Sequence, residues 1–160
     1  MMVGDDIDEV RPGDPVARVM VWPVAEVDTR TSLGDAAEEL AAEEVGAVAV
    51  MSSGRFAGLL SERDLVSHVA MGADLSHLTA GDVMTIEVVT ARHTDSILEA
   101  ARLMCEAGVR HLPVLDGQQV SGIVSMRDLM GVLVAHGSES VAVPVHEDRV
   151  GLVVPPPWAG

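Results

Sequence analysis

The chain contains no lysine; all ten of its basic residues are arginine. That absence excludes Schiff-base chemistry and the lysine a phosphate-cradling P-loop requires. Tyrosine is also missing, and phenylalanine occurs once and tryptophan twice in 160 residues. With 48% of the residues hydrophobic, the core must be aliphatic, built from Val, Leu, Ala and Met. The single cysteine, Cys105, cannot form an internal disulfide and reads as a small buried hydrophobe on a helix. No apolar run approaches the ~20 residues of a membrane span. The N-terminus is acidic where a signal peptide is basic, so a cytosolic location is expected. Positive charge is scarce, with 10 Arg against 25 Asp and Glu and a net charge of −15. Such a balance argues against nucleic-acid backbones and anionic membranes as partners. An anionic ligand would have to be held by local donors.

What the sequence does contain is a repeat. Residues 19–65 recur 64 positions later with no gap. Val19-Met20 returns as Val83-Met84, Ala36-Ala37 as Ala100-Ala101, Gly58 as Gly122, and Ser61-Glu62-Arg63-Asp64-Leu65 as Ser125-Met126-Arg127-Asp128-Leu129. Two copies are too few for a solenoid and suit a pseudo-symmetric pair sharing one interface. The boundaries read as an acidic, flexible lead-in at 1–14, a first unit at 15–72, a second at 79–137, and a tail or docked arm at 138–160.

Each unit has the same internal order. A short extended run (24–27 and 88–90) precedes a helix opened by Ser32 or Ser96, each three residues before an acid in a capping-box pattern. The apolar stripes Leu33, Ala36, Ala37, Leu40 and Ile97, Ala100, Ala101, Met104 have helical spacing. Gly108 is placed to end the second helix in a left-handed conformation. Glu44 stands there in the first copy, so a different helix end is expected. Two apolar runs follow, turning at Ser53-Gly54 and Asp116-Gly117 as hairpins. A second helix closes each unit, from Glu62 and from Met126. The predicted fold is α/β (α+β): tandem β-α-β-β-α repeats with pseudo-twofold symmetry. Beyond the repeat, 141–143 and 150–154 read as strands or arms, and the prolines at 155–157 as polyproline II.

The chemistry concentrates at Ser-x-Arg-Asp on the strand-to-helix junction of both copies. A strand ending in a small hydroxyl residue and opening a helix presents free N–H groups and a positive dipole end, which suit a phosphate. The Asp one turn on points back over the same opening and can accept both hydroxyls of a ribose. Arg63 and Arg127 offer forked donors. The plainer reading is a capping box, but capping needs neither the preceding Gly nor the Arg. The six histidines show no metal-binding spacing, and Trp22 reads as a packing or interface anchor.

The capped helix, His-Leu-Pro-Val at 111–114 and Gly-Ile-Val-Ser-x-Arg-Asp-Leu at 122–129 resemble a CBS domain, and the two copies a complete CBS pair (Bateman module) over roughly residues 15–137. The resemblance implies a non-enzymatic regulatory module that binds adenosine-containing ligands such as AMP, ADP, ATP or S-adenosylmethionine in clefts between repeats, with no required cofactor and no metal. It implies that Asp64 and Asp128 hold ribose hydroxyls, with Ser61 and Ser125 nearby. The adenine would lie against Val21, Trp22 and Val24 or against Ile86 and Val88. Arg110 and His111, in the run that includes Pro113, would lie close to the phosphates. It further implies a homodimer of two pairs, with an unidentified target protein as a further expected partner. Because the first copy has Gly46-Ala47 where the second has Arg110-His111, the Asp128 cleft is the expected site for a phosphorylated ligand. The rival expectation is a dimerisation or interaction module with vestigial clefts.

Overall fold

The computed structural model describes residues 9–137. The strands or arms and the polyproline run expected at 141–157 lie outside the described residues. The first unit runs β1 (Glu26–Asp28), α1 (Leu33–Ala42), β2 (Ala47–Ser52), β3 (Arg55–Ser61) and α2 (Glu62–Ala70). A short helix α3 (Ala80–Val83) leads into β4 (Ala91–Arg92), α4 (Ile97–Ala107), β5 (His111–Asp116), β6 (Gln119–Ser125) and α5 (Met126–Ala135). Each unit therefore has the β-α-β-β-α order. Its three-stranded sheet has the order β1-β2-β3 or β4-β5-β6, a parallel pair beside an antiparallel hairpin. Ser53 and Gly54 both take positive φ (50° and 74°), which closes the first hairpin with the twist its strands need.

Local chemistry sets the helix ends. Ser32 and Ser96 accept the N–H groups of Asp35 and Glu99 at 3.1 Å, and the Glu99 carboxylate accepts from Ser96 N–H at 2.8 Å. The stripe residues Leu33, Ala36 and Leu40 and their counterparts Ile97, Ala100, Ala101 and Met104 are buried, Ala37 only partly. Cys105, beside that stripe rather than within it, is half-buried and not a core residue. The expected difference between the two helix ends does not occur. Glu44 takes the left-handed conformation (φ 54°) as Gly108 does (φ 66°), and Val45 N–H reaches Leu40 O as Val109 N–H reaches Met104 O.

The two units exchange their leading segments. Val16 N–H donates to Asp95 O, Ile97 N–H to Asp14 O and Leu98 N–H to Pro12 O, so residues before the first unit satisfy the free amides at the start of α4. Reciprocally, Leu33 N–H donates to Leu78 O, Gly34 N–H to Leu75 O and Ala80 N–H to Thr31 O. Residues 9–14 are thus a docked segment, in contrast to the flexible lead-in expected, and His136 Nε2 lies 2.7 Å from Val10 O. The cores follow the same exchange. Val16 is buried in the cluster of α4, β5, β6 and α5, and Ala80 in that of α1, β2, β3 and α2. A fully buried Val or Leu in either cluster contributes roughly 1.5–3 kcal/mol.

The exchange continues as β-bridges. Val21 and Ile123 trade both backbone hydrogen bonds (2.8 and 3.1 Å), as do Thr85 and Leu59 (2.9 and 3.0 Å). The extended runs expected at 24–27 and 88–90 accordingly begin later as strands, because the residues ahead of them cross from one sheet to the other. Gly58 and Gly122 let that crossing chain in. A Cβ at Gly58 would stand 2.5 Å from Thr85 O, and one at Gly122 would stand 2.5 Å from Met20 Sδ and 3.0 Å from Val21 O. The hairpin register shifts beside each glycine.

Substitutions at the two crossing glycines and at Glu44 test this packing. Gly58→Ala is expected to lower stability by about 2 kcal/mol in urea unfolding, as overpacking against fixed backbone does. Gly122→Ala should cost less, because the thioether of Met20 can swing aside; equal midpoints for the variants and wild type would count against the crossing. Glu44→Gly should raise the melting temperature, since a left-handed L-residue costs roughly 1–2 kcal/mol and glycine returns roughly half of that gain as chain entropy. Glu44→Ala should bring no such rise.

Candidate functional site

The crossing segments and the two strand-to-helix junctions enclose one cavity of about 630 Å3 between the repeats. Ser61, Arg63, Asp64, Ser125, Arg127, Asp128, Val24, Val88, Arg110 and His111 all line it. Two expected site residues do not. Ile86 is 70% exposed on the outer side of its segment. Pro113 is fully buried in β5, opposite Ile123, whose other edge is occupied by Val21. Trp22 is likewise 70% exposed and off the cavity, while its neighbour Val21 lines it.

The bridges decide which residues belong together. Val21 pairs two residues before Ser125, so the 21–25 segment accompanies Asp128. Thr85 pairs two residues before Ser61, so the segment containing Glu87 and Val88 accompanies Asp64. Each end of the cavity is therefore built from both repeats, and the two ends are continuous. The separate clefts expected from the sequence are halves of a single space.

At both junctions the capping box is present. The Asp64 carboxylate accepts from Ser61 N–H (2.8 Å) and Ser61 O–H (2.9 Å) through Oδ2. Asp128 Oδ2 accepts from Ser125 N–H (2.9 Å) and Ser125 O–H (2.6 Å). Capping and ligand binding do not compete here. One carboxylate oxygen fixes the side chain at the helix start, and Oδ1 has no protein donor among the described residues. Such an oxygen on a held carboxylate can accept a ligand hydroxyl.

Charge around the cavity is mixed. Glu44, Glu62 and Glu87 line it in addition to Asp64 and Asp128, against Arg63, Arg110 and Arg127. These three glutamates and Thr85 escaped sequence reasoning. Aligning the copies puts Glu62 opposite Met126 and Glu44 opposite Gly108, a difference visible in the sequence but with no indication of where it points. His111 reaches from β5 into the first repeat and lies over Gly46, whose absent Cβ would stand 2.7 Å from His111 Nε2. Gly46 is thus the seat for His111, not a weakened copy of Arg110. Burial, and then the neighbouring Arg110, hold the imidazole pKa below its usual value, with Glu62 and Asp128 acting in the opposite direction.

Among the described residues no cluster of His, Cys, Asp and Glu is arranged to hold a metal ion, and no helix is long and apolar enough to cross a membrane.

The chain is 31% identical over 115 residues to a CBS domain-containing protein of Bacillus subtilis, YhcV, covering 71% of this chain and 81% of that protein. It is 34% identical over 105 residues to a 33.4 kDa protein encoded in a ribosomal RNA operon of Thermofilum pendens, and spans 34% of that longer protein against 65% of itself. Among solved structures, the CBS domain protein PAE2072 of Pyrobaculum aerophilum, complexed with AMP, superposes with a TM-score of 0.70 at 24% identity, covering 78% of this chain and 99% of that one. The CBS domain pair of protein MJ0100, in complex with 5′-methylthioadenosine and S-adenosyl-L-methionine, gives a TM-score of 0.71 at 21% identity, with coverage of 78% and 99%. The CBS domain model matches residues 16–71 and again 80–135. With both matches falling on the repeats that frame the cavity, the chain belongs to the CBS domain family and carries a pair of CBS domains.

Proposed function

We propose that this CBS pair is a regulatory module whose cavity binds an adenosine-containing ligand of the AMP, ADP or ATP kind, and that it does so without catalysis. The observation that carries this reading is the pair of Ser-x-Arg-Asp junctions opening into one cavity, each with a carboxylate oxygen to spare. In this reading the Oδ1 atoms of Asp64 and Asp128 accept ribose hydroxyls. Val21 and Val24 at one end, and Val88 at the other, lie along the adenine. The helix N-termini of α2 and α5, with Arg63, Arg127, Arg110 and His111, meet the phosphates. A volume of about 630 Å3 suits a ligand of nucleotide size. The AMP held by the Pyrobaculum protein and the adenosine derivatives held by the pair from MJ0100 support the class of ligand. Regulation follows if ligand binds one arrangement of the module better than another, since only differential affinity shifts such a balance.

A second copy of the chain is the partner we infer for the terminal helices. Val66 and Val69 on α2 and Met130 and Val134 on α5 are 46–70% exposed, and Val66 and Met130 are equivalent under the repeat. A pseudo-symmetric apolar face of this kind suits a twofold contact between identical chains.

In a thermal-shift screen at millimolar concentration, at least one of AMP, ADP, ATP or S-adenosylmethionine should raise the midpoint. Ligand at a hundred times Kd stabilises by about 2.7 kcal/mol. Asp64→Ala combined with Asp128→Ala should abolish the shift, and no shift in wild type from any of them would overturn the reading. In light scattering the wild type should have the mass of a dimer, and Val66→Glu with Val134→Glu that of a monomer. A monomeric wild type at high micromolar concentration would remove the dimer.

A further inference from the structure

The two halves of the cavity differ most at positions 46–47 and 110–111. The second repeat places Arg110-His111 where the first has Gly46-Ala47. The His111 imidazole is half-buried against Gly46, with Nε2 and Cε1 at 2.7 and 3.0 Å from where a Cβ would stand and Glu62 Oε2 3.6 Å from the same point. From α2 it faces Glu62, from α5 Asp128, and just ahead of its own strand Arg110. Arg63, Asp64 and Arg127 line the same space. His111 is thus placed centrally, between the two Ser-x-Arg-Asp junctions and within reach of both repeats.

Burial, and then Arg110, disfavour its charged form more than the two carboxylates favour it, so its pKa lies below the ordinary histidine value. Five carboxylates line the cavity against three guanidiniums, in a chain of net charge −15. A phosphate entering there adds negative charge beside a base that has a proton site to fill. We propose that His111 takes up a proton together with a phosphorylated ligand, so that it becomes a cation only when the anion arrives. This rests on the nucleotide reading above and adds its regulation: the module would respond to pH as well as to ligand.

The sign follows from linkage. The bound anion raises the histidine pKa above its free-state value. Below the free value the proton is already present and affinity is greatest. Between the two values affinity falls as pH rises, by up to about tenfold per pH unit for one linked proton. Above the bound value the histidine contributes nothing.

The test is calorimetric titration of the full chain with AMP between about pH 6 and pH 8, in buffers of different ionisation enthalpy, with adenosine as the uncharged control. Wild type should take up more protons with AMP than His111→Asn does, and adenosine should show no such difference between the two proteins. Gly46→Ala, whose methyl group displaces the ring without removing it, should also lower the uptake and serves if His111→Asn does not fold. AMP binding with the same proton count in wild type and variants would overturn the coupling and leave the ligand reading standing. No binding of AMP, ADP or ATP at any pH would overturn the coupling, and the ligand reading falls with it if S-adenosylmethionine also fails to bind.

Discussion

The structure depends on the backbone crossing at Gly58 and Gly122. At each, a segment from one repeat pairs with the last strand of the other, so closely that backbone bars a side chain at Gly58 and the Met20 thioether must move to admit one at Gly122. Two consequences follow from this one steric constraint. Each hydrophobic core contains residues from both repeats, so neither half buries its apolar surface alone. The ends of the crossing strands, Ser61 and Ser125, are also brought against the opposite repeat's leading segment, and that juxtaposition encloses the cavity. The glycine in the repeated Gly-aliphatic-aliphatic-Ser string is therefore a packing requirement that creates a site as its by-product.

Within the cavity, one aspartate of each repeat both caps a helix and faces the open space. Asp64 and Asp128 use Oδ2 to hold the N-terminus of a helix, and among the described residues nothing donates to Oδ1. A carboxylate pinned in this way loses little rotamer freedom on meeting a ligand, which favours binding. The aliphatic walls and the scarcity of cations set the other condition. In so acidic a protein local donors must supply any positive potential, and Arg63, Arg110, Arg127 and the amides opening two helices converge in this cavity. The asymmetry of the repeats concentrates at that convergence, where Gly46 yields space and His111 fills it.

The repeat, the capping boxes, the hairpins and the Ser-x-Arg-Asp junctions were legible in the sequence because each rests on residues a few positions apart. Ten of the twelve expected site residues line the cavity, and six of them, Ser61, Arg63, Asp64, Ser125, Arg127 and Asp128, do so because a strand-to-helix junction sets their positions locally. The misses are all of longer range. Ile86 belongs to the right segment, but its orientation depends on the crossing to the other repeat, and Pro113 is buried within its own sheet opposite Ile123. Glu44, Glu62 and Glu87 look like ordinary surface acids until the repeats close around them. The left-handed Glu44 shows a tertiary frame overriding the local preference for glycine.

The sequence by itself determined the fold, since a gapless duplication of alternating apolar patterns and helix caps admits a paired β-α-β-β-α architecture. It also determined the two Ser-x-Arg-Asp junctions that line the cavity. Only the tertiary structure decided that the leading segments change places, that Val21 accompanies Asp128 and Thr85 accompanies Asp64, and that two clefts are one cavity. Local patterns specify which hydrogen bonds a segment needs, and many partners can supply them. The partner is selected by close packing between residues some 25 to 100 positions apart, and no local pattern encodes that choice.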